Sequence, residues 1–92
     1  MKIIYSQRFL GELRAIVRFI ALDSKARAKE FNDSIKQSCQ NLINMPYKCR
    51  KSLKFDSENV RDLVYKSYVI PYFIDSDCIN VLGIYKENAW EA

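Results

Sequence analysis

The sequence contains no histidine. This absence excludes any mechanism that uses an imidazole as general base, and any zinc site built from cysteine and histidine. The three cysteines, Cys39, Cys49 and Cys78, show neither C-x-x-C spacing nor an even count, which argues against a metal knuckle and a closed disulfide framework. We therefore expect reduced thiols, no catalytic cysteine, no metal and no cofactor.

Glycine and proline are also scarce, with two residues of each. Together with 49% hydrophobic and 28% charged residues, this composition excludes disorder, collagen and low-complexity repeats. The longest uncharged apolar stretch, from Val69 to Ile74, is far shorter than the ~20 residues of a membrane span. At 92 residues we expect a single domain, 1–92, in an unprocessed, soluble, cytoplasmic protein without membrane contact.

Charge is segregated along the chain. Residues 1–54 hold twelve Lys/Arg against four Asp/Glu, a net of +8, whereas residues 55–92 hold three against seven, a net of −4. A basic half indicates an acidic partner, either nucleic acid or an acidic protein segment, although solvated helix faces are often basic as well.

The first half has the apolar period of helices. A β-prone run at residues 2–5 ends at Ser6, a helix N-cap residue, and apolar residues then recur every three or four positions over residues 7–21. After the break at Asp23 and Ser24, a second helix is predicted over residues 24–44, ended by Pro46. The short connection predicts an antiparallel helical hairpin.

From about residue 60 the period changes to two, which predicts three strands between Val60 and Lys86 joined by short hairpin loops. Pro71 lies inside the middle strand, so we expect a bulge there. Residues 47–59, the basic loop, have no sustained period and at most a short strand at residues 52–55. The predicted fold is an α+β two-layer β-α-α-β-β-β sandwich, in which the hairpin packs on one face of an antiparallel sheet lined by such residues as Ile70, Ile74, Leu82 and Ile84.

Several local strings, taken together, resemble the RelE/ParE superfamily of bacterial toxins, the toxic halves of type II toxin–antitoxin pairs. The opening Ile3-Ile4-Tyr5-Ser6 leads into a helix, and Asn44-Met45-Pro46 ends the next one. The strands read R-x-L-V-x-x-x-Y-x-I-x-Y-x-I-D from Arg61 and I-x-V-L-x-I from Ile79. The resemblance covers essentially the whole chain and implies the fold just described.

One branch of this superfamily consists of ribosome-dependent nucleases that cut messenger RNA. Their histidine-free version carries an arginine after the tyrosine that begins the third strand, and a second arginine at the end of the last strand. Here those places hold Val69 and Glu87, which removes groups that would stabilise charge on the scissile phosphate. If the protein is nevertheless an endoribonuclease, the resemblance implies these catalytic candidates: Lys51, Lys54, Arg61 and Tyr85.

The ParE branch resembles the chain better, because its hairpin is long and its members lack a recognisable catalytic set. Its members poison DNA gyrase by binding, and a cognate antitoxin neutralises them. The resemblance therefore favours a non-enzymatic gyrase inhibitor over the nuclease, and a non-toxic nucleic-acid-binding domain stays open as a third reading. The expected target-binding residues are Arg50, Lys51, Lys54, Arg61, Lys86 and Trp90.

Three of these features also have purely structural readings. Arg61 could contact a target or pair with Asp62, Glu58 or Asp77. The basic loop could be an ordinary solvated loop. Trp90 could cap the core or remain exposed as an interface residue.

Overall fold

The computed structural model describes residues 1–87 of the chain. Within these residues, two helices and six strands follow one another in the predicted order, with one additional strand at each end of the sheet-forming half. Their bounds are β1 Lys2–Tyr5, α1 Gln7–Ala21, α2 Lys25–Asn41, β2 Arg50–Lys51, β3 Val60–Tyr65, β4 Tyr68–Ile74, β5 Cys78–Val81 and β6 Tyr85–Lys86.

Both helices begin where the sequence predicts. The side chain of Ser6 accepts a hydrogen bond from the backbone N–H of Phe9, and Ser24 does the same for Arg27. Helix α2 ends at Asn41 rather than at residue 44, because the chain tightens into single turns in which each backbone N–H reaches back three residues, as Asn44 does to Asn41.

The strands form one sheet in the order β1-β5-β4-β3-β2, and β6 pairs with β4. Among the described pairs, β1–β5 is parallel and the others are antiparallel, so the sheet is mixed and the expected antiparallel sheet needs this correction. The helical hairpin and the β2–β4 strands separate β1 from β5, and so long a connection lets the two strands run in the same direction.

One face of the sheet is covered by the helices. Phe9 and Leu13 of α1 and Ile35 of α2 form a buried cluster with Ile70 and Ile84 of the strand half. The predicted core position of Leu82 is wrong. Its neighbour Val81 packs in that cluster, whereas Leu82, which directly follows the end of β5, stays partly exposed. The other face of the sheet, here termed the open face, carries no helix formed by residues 1–87.

The bulge expected at Pro71 is present on the opposite strand. Tyr72 of β4 pairs with Val81, and Val69 of β4 pairs with Tyr85. The two pairs are three residues apart in β4 but four residues apart in the opposite segment, which therefore contains one extra residue. The carbonyl of Pro71 accepts a 2.9 Å hydrogen bond from the N–H of Leu82. The nitrogen and the carbonyl of one strand residue face the same neighbouring strand. The missing N–H of Pro71 therefore lies where the ladder between β4 and its neighbour is interrupted. This interruption splits the predicted last strand into β5 and β6.

The short strand expected at residues 52–55 is wrong by two residues. Arg50 and Lys51 pair with Asp62 and Arg61 as β2. The chain then leaves the ladder, and residues 52–55 cross the open face instead of continuing along its edge.

Candidate functional site

The first part of the basic loop is tied to the open face at successive residues. The N–H of Ser52 donates to the carbonyl of Val60 at 2.9 Å, and the N–H of Leu53 donates to Oδ2 of Asp62 at 3.2 Å. Phe55 packs against Val69 and Tyr85, which form a cluster separate from those on the helical side. Residues 50–55 therefore have a defined path across the sheet.

A shallow depression of about 140 Å³ lies where this segment meets the sheet. Its lining residues are Arg50, Leu53, Lys54, Val69, Tyr85 and Glu87. The Nζ atom of Lys54 lies 5.6 Å from the ring centroid of Tyr85, within cation–π range. The structure thus brings together three predicted site residues, Arg50, Lys54 and Tyr85, that are 35 positions apart in the sequence at the extremes.

Lys51, although adjacent in sequence, does not line this depression. Its Nζ lies 2.9 Å from Oε1 of Glu58, across the basic loop. The hydrogen bond and the positive charge of Lys51 lower the pKa of the Glu58 carboxyl. The pair is exposed, so Lys51 remains accessible from solvent but is partly neutralised.

Arg61 faces the helical side of the sheet. Its Nε donates to the carbonyl of Glu58 at 3.0 Å and its Nη1 to the carbonyl of Cys49 at 3.2 Å. The guanidinium carbon lies 5.0 Å from the ring centroid of Tyr47. Arg61 thus binds backbone carbonyls at both ends of the basic loop, instead of the carboxylates that the sequence suggested as its structural partners.

One further predicted residue lies outside the open-face site. Lys86 borders a different depression of about 450 Å³, between α1 and β6, which also contains Phe19 and Tyr68. Trp90 lies outside the described residues.

Asp62 is a member of this region that sequence reasoning missed. It is only 2% exposed, and its Oδ2 lies 3.6 Å from Nη2 of Arg50 in addition to accepting the Leu53 bond. Among the described residues, no hydrogen-bond partner reaches its Oδ1. The signal in the sequence was a carboxylate in an otherwise apolar alternating register, between Val60 and Val64.

The electrostatics of the depression are balanced. Arg50 and Lys54 contribute two positive charges, and Asp62 and Glu87 contribute two negative ones. Burial raises the pKa of Tyr85, the charge of Asp62 raises it further, and Arg50 acts in the opposite direction. The phenol is therefore held in its protonated form, which does not favour a role as general base.

The two positions of the missing nuclease arginines lie at this same site. Val69 is 1% exposed and packs under Tyr85, and Glu87 is part of the lining. An apolar side chain and a carboxylate therefore occupy the two positions at which cations would hold a phosphate.

No group of three or more His, Cys, Asp or Glu side chains with metal-binding geometry occurs within residues 1–87. In that same part of the chain, no helix has the length and apolar character needed to cross a membrane. The three cysteines are unpaired, and burial raises the pKa of the Cys39 thiol to about 12, so this thiol is not a nucleophile at neutral pH.

Comparison with known proteins gives matches to a family model and to solved structures. Residues 3–88 match the family model described as the ParE toxin of the type II toxin–antitoxin system parDE. A solved structure described as a chromosomal ParDE TA system from P. aeruginosa superposes with a TM-score of 0.75 at 17% sequence identity, and the match covers 94% of this chain and 95% of that one. At this identity the structural likeness concerns the fold. No curated protein matches the sequence significantly.

Proposed function

The chain belongs to the ParE toxin family of type II toxin–antitoxin systems, and on that premise we propose that it inhibits DNA gyrase by binding and that a cognate antitoxin neutralises it. In this proposal the protein acts in the cytoplasm and has no catalytic residues of its own. Its target-binding surface is the open face around Arg50 and Lys54.

The observation that carries the binding mechanism is the composition of the open-face depression. A site that cleaves RNA must stabilise extra negative charge on the phosphate, and each preorganised cation at such a site is worth a few kcal/mol. Here two carboxylates offset the two cations, Val69 forms the floor and Glu87 lies on the rim. The arrangement suits contacts with a protein surface better than it suits phosphoryl-transfer chemistry.

One observation favours the endoribonuclease as second candidate. Arg50, Lys54 and Tyr85 surround a single depression, as catalytic groups would. Of the nuclease candidates, however, Lys51 is paired with Glu58 and Arg61 is bound to backbone carbonyls on the other face. A non-toxic nucleic-acid-binding role would use the same cations without inhibiting either target.

The antitoxin requires a different surface, and the exposed side of α1 supports one. Phe19 is 75% exposed and Leu22 is 85% exposed, and Phe19 borders depressions on both sides of the helix. Arg14 and Arg18 are exposed on the same helix. Apolar side chains flanked by arginines are complementary to an amphipathic helix with acidic residues at its edges, of the kind that folds on binding.

The direct test of the target places the purified protein with gyrase, relaxed plasmid and ATP, beside a programmed ribosome carrying messenger RNA. We expect loss of supercoiling and intact messenger RNA. Cleavage of ribosome-bound messenger RNA with normal supercoiling would establish the endoribonuclease instead. Binding of nucleic acid with no effect in either assay would favour the non-toxic reading.

The test of neutralisation is co-expression with the small protein encoded beside the toxin. We expect restored growth and a co-purifying complex. Phe19→Asp should abolish the complex, and Asp75→Asn, which changes an exposed turn residue, serves as the matched control. A complex that survives Phe19→Asp would refute the α1 surface while leaving the gyrase proposal intact.

A further inference from the structure

The side chain of Leu53 is exposed in the middle of a segment that is otherwise fastened to the sheet. Leu53 is 76% exposed. The neighbouring Ser52 is buried, and its hydroxyl accepts a 3.3 Å hydrogen bond from the N–H of Lys54. Two residues later, Phe55 is packed on Val69. This exposed leucine therefore lies in a segment whose neighbouring residues are hydrogen-bonded to the sheet or packed on it.

The side chain that holds Leu53 in place lowers the stability of the fold. The backbone N–H of Leu53 donates to Asp62, a carboxylate whose side chain is 0% exposed. Only one oxygen of that carboxylate has partners among the described residues, and the other is buried without one. Burying a carboxylate with incomplete pairing lowers stability, and an apolar residue at this position would avoid the cost. Such residues occur preferentially where a protein needs a specific geometry for function.

Cations flank the leucine on both sides. Arg50 and Lys54 line the same depression as Leu53, and both are exposed. At the surface of the depression these two cations outnumber the one exposed carboxylate, Glu87, because the side chain of Asp62 is buried. An exposed apolar side chain beside an excess of positive charge has the character of an interface residue that enters a pocket on its partner.

From these observations we infer that Leu53 is the apolar anchor of the target-binding surface, that Asp62 positions it, and that the surface fits a protein pocket rimmed by carboxylates. The inference rests on the proposed function, because it assumes a protein target. It adds two residues to the surface that the charge pattern of the sequence did not indicate. In this arrangement the leucine supplies the short-range contact, and Arg50 and Lys54 supply the electrostatic attraction.

The test compares Leu53→Ala with Met45→Ala, a control that truncates another exposed apolar residue outside the depression. The readouts are the concentration that half-inhibits gyrase, growth inhibition in cells and the melting temperature. Leu53→Ala should raise the half-inhibitory concentration about 5- to 30-fold, as loss of an interface hot spot does, with an unchanged melting temperature. The Met45→Ala protein should stay within about twofold of the wild type.

Two variants of Asp62 test the positioning role. Asp62→Asn keeps an oxygen that can accept the Leu53 bond, and it should retain most of the inhibition. Asp62→Ala removes the acceptor and should lose inhibition to the extent that Leu53→Ala does. If Asp62→Ala does not fold, a comparison of Asp62→Asn with Leu53→Ala still tests the positioning role. An equal loss of gyrase inhibition in these two variants would contradict positioning through the hydrogen bond.

The outcomes separate this inference from the proposed function. Inhibition of gyrase that is equal for Leu53→Ala and Met45→Ala would overturn the anchor and leave the gyrase proposal standing. Wild-type protein that spares gyrase but stops growth, with growth restored only by Leu53→Ala, would overturn gyrase as target and support the anchor on another protein.

Discussion

The phenol of Tyr72 donates a 2.6 Å hydrogen bond to the backbone carbonyl of Pro46, 26 residues earlier in the chain. Tyr72 lies in β4 and is fully buried, in a cluster with Leu42 from the end of α2. The bond therefore joins the centre of the sheet to the beginning of the basic loop. The path of the target-binding segment depends on a core residue as well as on the contacts that it makes on the open face.

Tyr72→Phe should lower the free energy of unfolding by about 1 to 2 kcal/mol, because the part-buried carbonyl of Pro46 loses its partner. In a protein of this size each kcal/mol corresponds to a melting temperature about 4–8 °C lower. Tyr47→Phe removes a longer and exposed bond to Asn59, of 3.3 Å, and is the matched control, with an expected change within about 0.5 kcal/mol. Equal melting temperatures for the two variants would contradict the structural role of Tyr72.

Stability should fall in alkaline solution because of Cys39. Burial raises the pKa of this thiol from 9.0 to about 12, so the folded state keeps a proton that the unfolded state releases. The contribution is complete below about pH 9 and is lost as pH rises towards the folded-state pKa, with a slope of up to about 1.4 kcal/mol per pH unit.

Urea unfolding between about pH 8 and 9 measures this slope while nearly all tyrosines of the unfolded chain are still protonated. Cys39→Ala should lose about 1 kcal/mol at neutral pH by leaving space in the core, yet show a shallower decline in that window. The half-buried Cys78 offers a control, and Cys78→Ala should decline as the wild type does. A decline that Cys39→Ala leaves unaltered would assign the alkaline sensitivity to other groups.

The two helix N-caps should differ in strength. Replacement of either Ser6 or Ser24 by alanine removes a side-chain acceptor at a helix start, at a typical cost of about 1 kcal/mol. Ser6 also donates a 3.0 Å hydrogen bond to the carbonyl of Leu82, across the sheet, whereas the Ser24 cap lies in the exposed turn between the helices. Chemical denaturation should therefore find Ser6→Ala less stable than Ser24→Ala by about 1 kcal/mol.

Alanine variants of Arg61 and Lys54 should both inhibit more weakly, but only the Arg61 variant should also be less stable. Arg61→Ala leaves two backbone carbonyls without their donor, and we expect a loss of about 1 to 2 kcal/mol in unfolding free energy along with weaker inhibition. Lys54→Ala should weaken inhibition with no change in melting temperature beyond about 2 °C. An Arg61→Ala protein as stable as the wild type but inactive would restore Arg61 as a direct target contact.

Charge reversal in the basic loop should act gradually. Lys51→Glu and Lys54→Glu should each weaken gyrase inhibition by about 1 kcal/mol, and by more at low salt, because surface charge contacts are screened by ions. Lys29→Glu, on the exposed side of α2, provides the control for net charge. A single reversal that reduces activity 100-fold or more would indicate a catalytic group and favour the nuclease.

The helices and strands were predictable because they follow from local rules. Ser6 and Ser24 are N-caps by their own side-chain chemistry, and the change of apolar period near residue 60 reports which faces must be buried. The errors lie where a residue's surroundings override its pattern. Leu82 has the hydrophobicity of a core residue, but it lies in the segment where the ladder is interrupted between β5 and β6, and it is partly exposed.

The candidate site was predictable only in part. The cluster of cations in the basic loop is visible in the sequence, and Arg50, Lys54 and Tyr85 do meet at one depression. The sequence also predicts Arg61 as a member of this group, but Arg61 faces the opposite side of the sheet. The alternation along a strand shows which residues share a face, but it does not show which face the basic loop crosses. Trp90 remains a prediction outside the described residues.

The sequence by itself determined which elements form, the absence of imidazole chemistry and the family to which the chain belongs, since each depends on residue types and their spacing. Only the tertiary structure decided that β1 runs parallel to β5, that Asp62 is buried and that it holds Leu53 exposed between two cations. These facts depend on contacts between residues that are distant in sequence. The burial and the hydrogen bonds that define them arise only when the chain closes on itself.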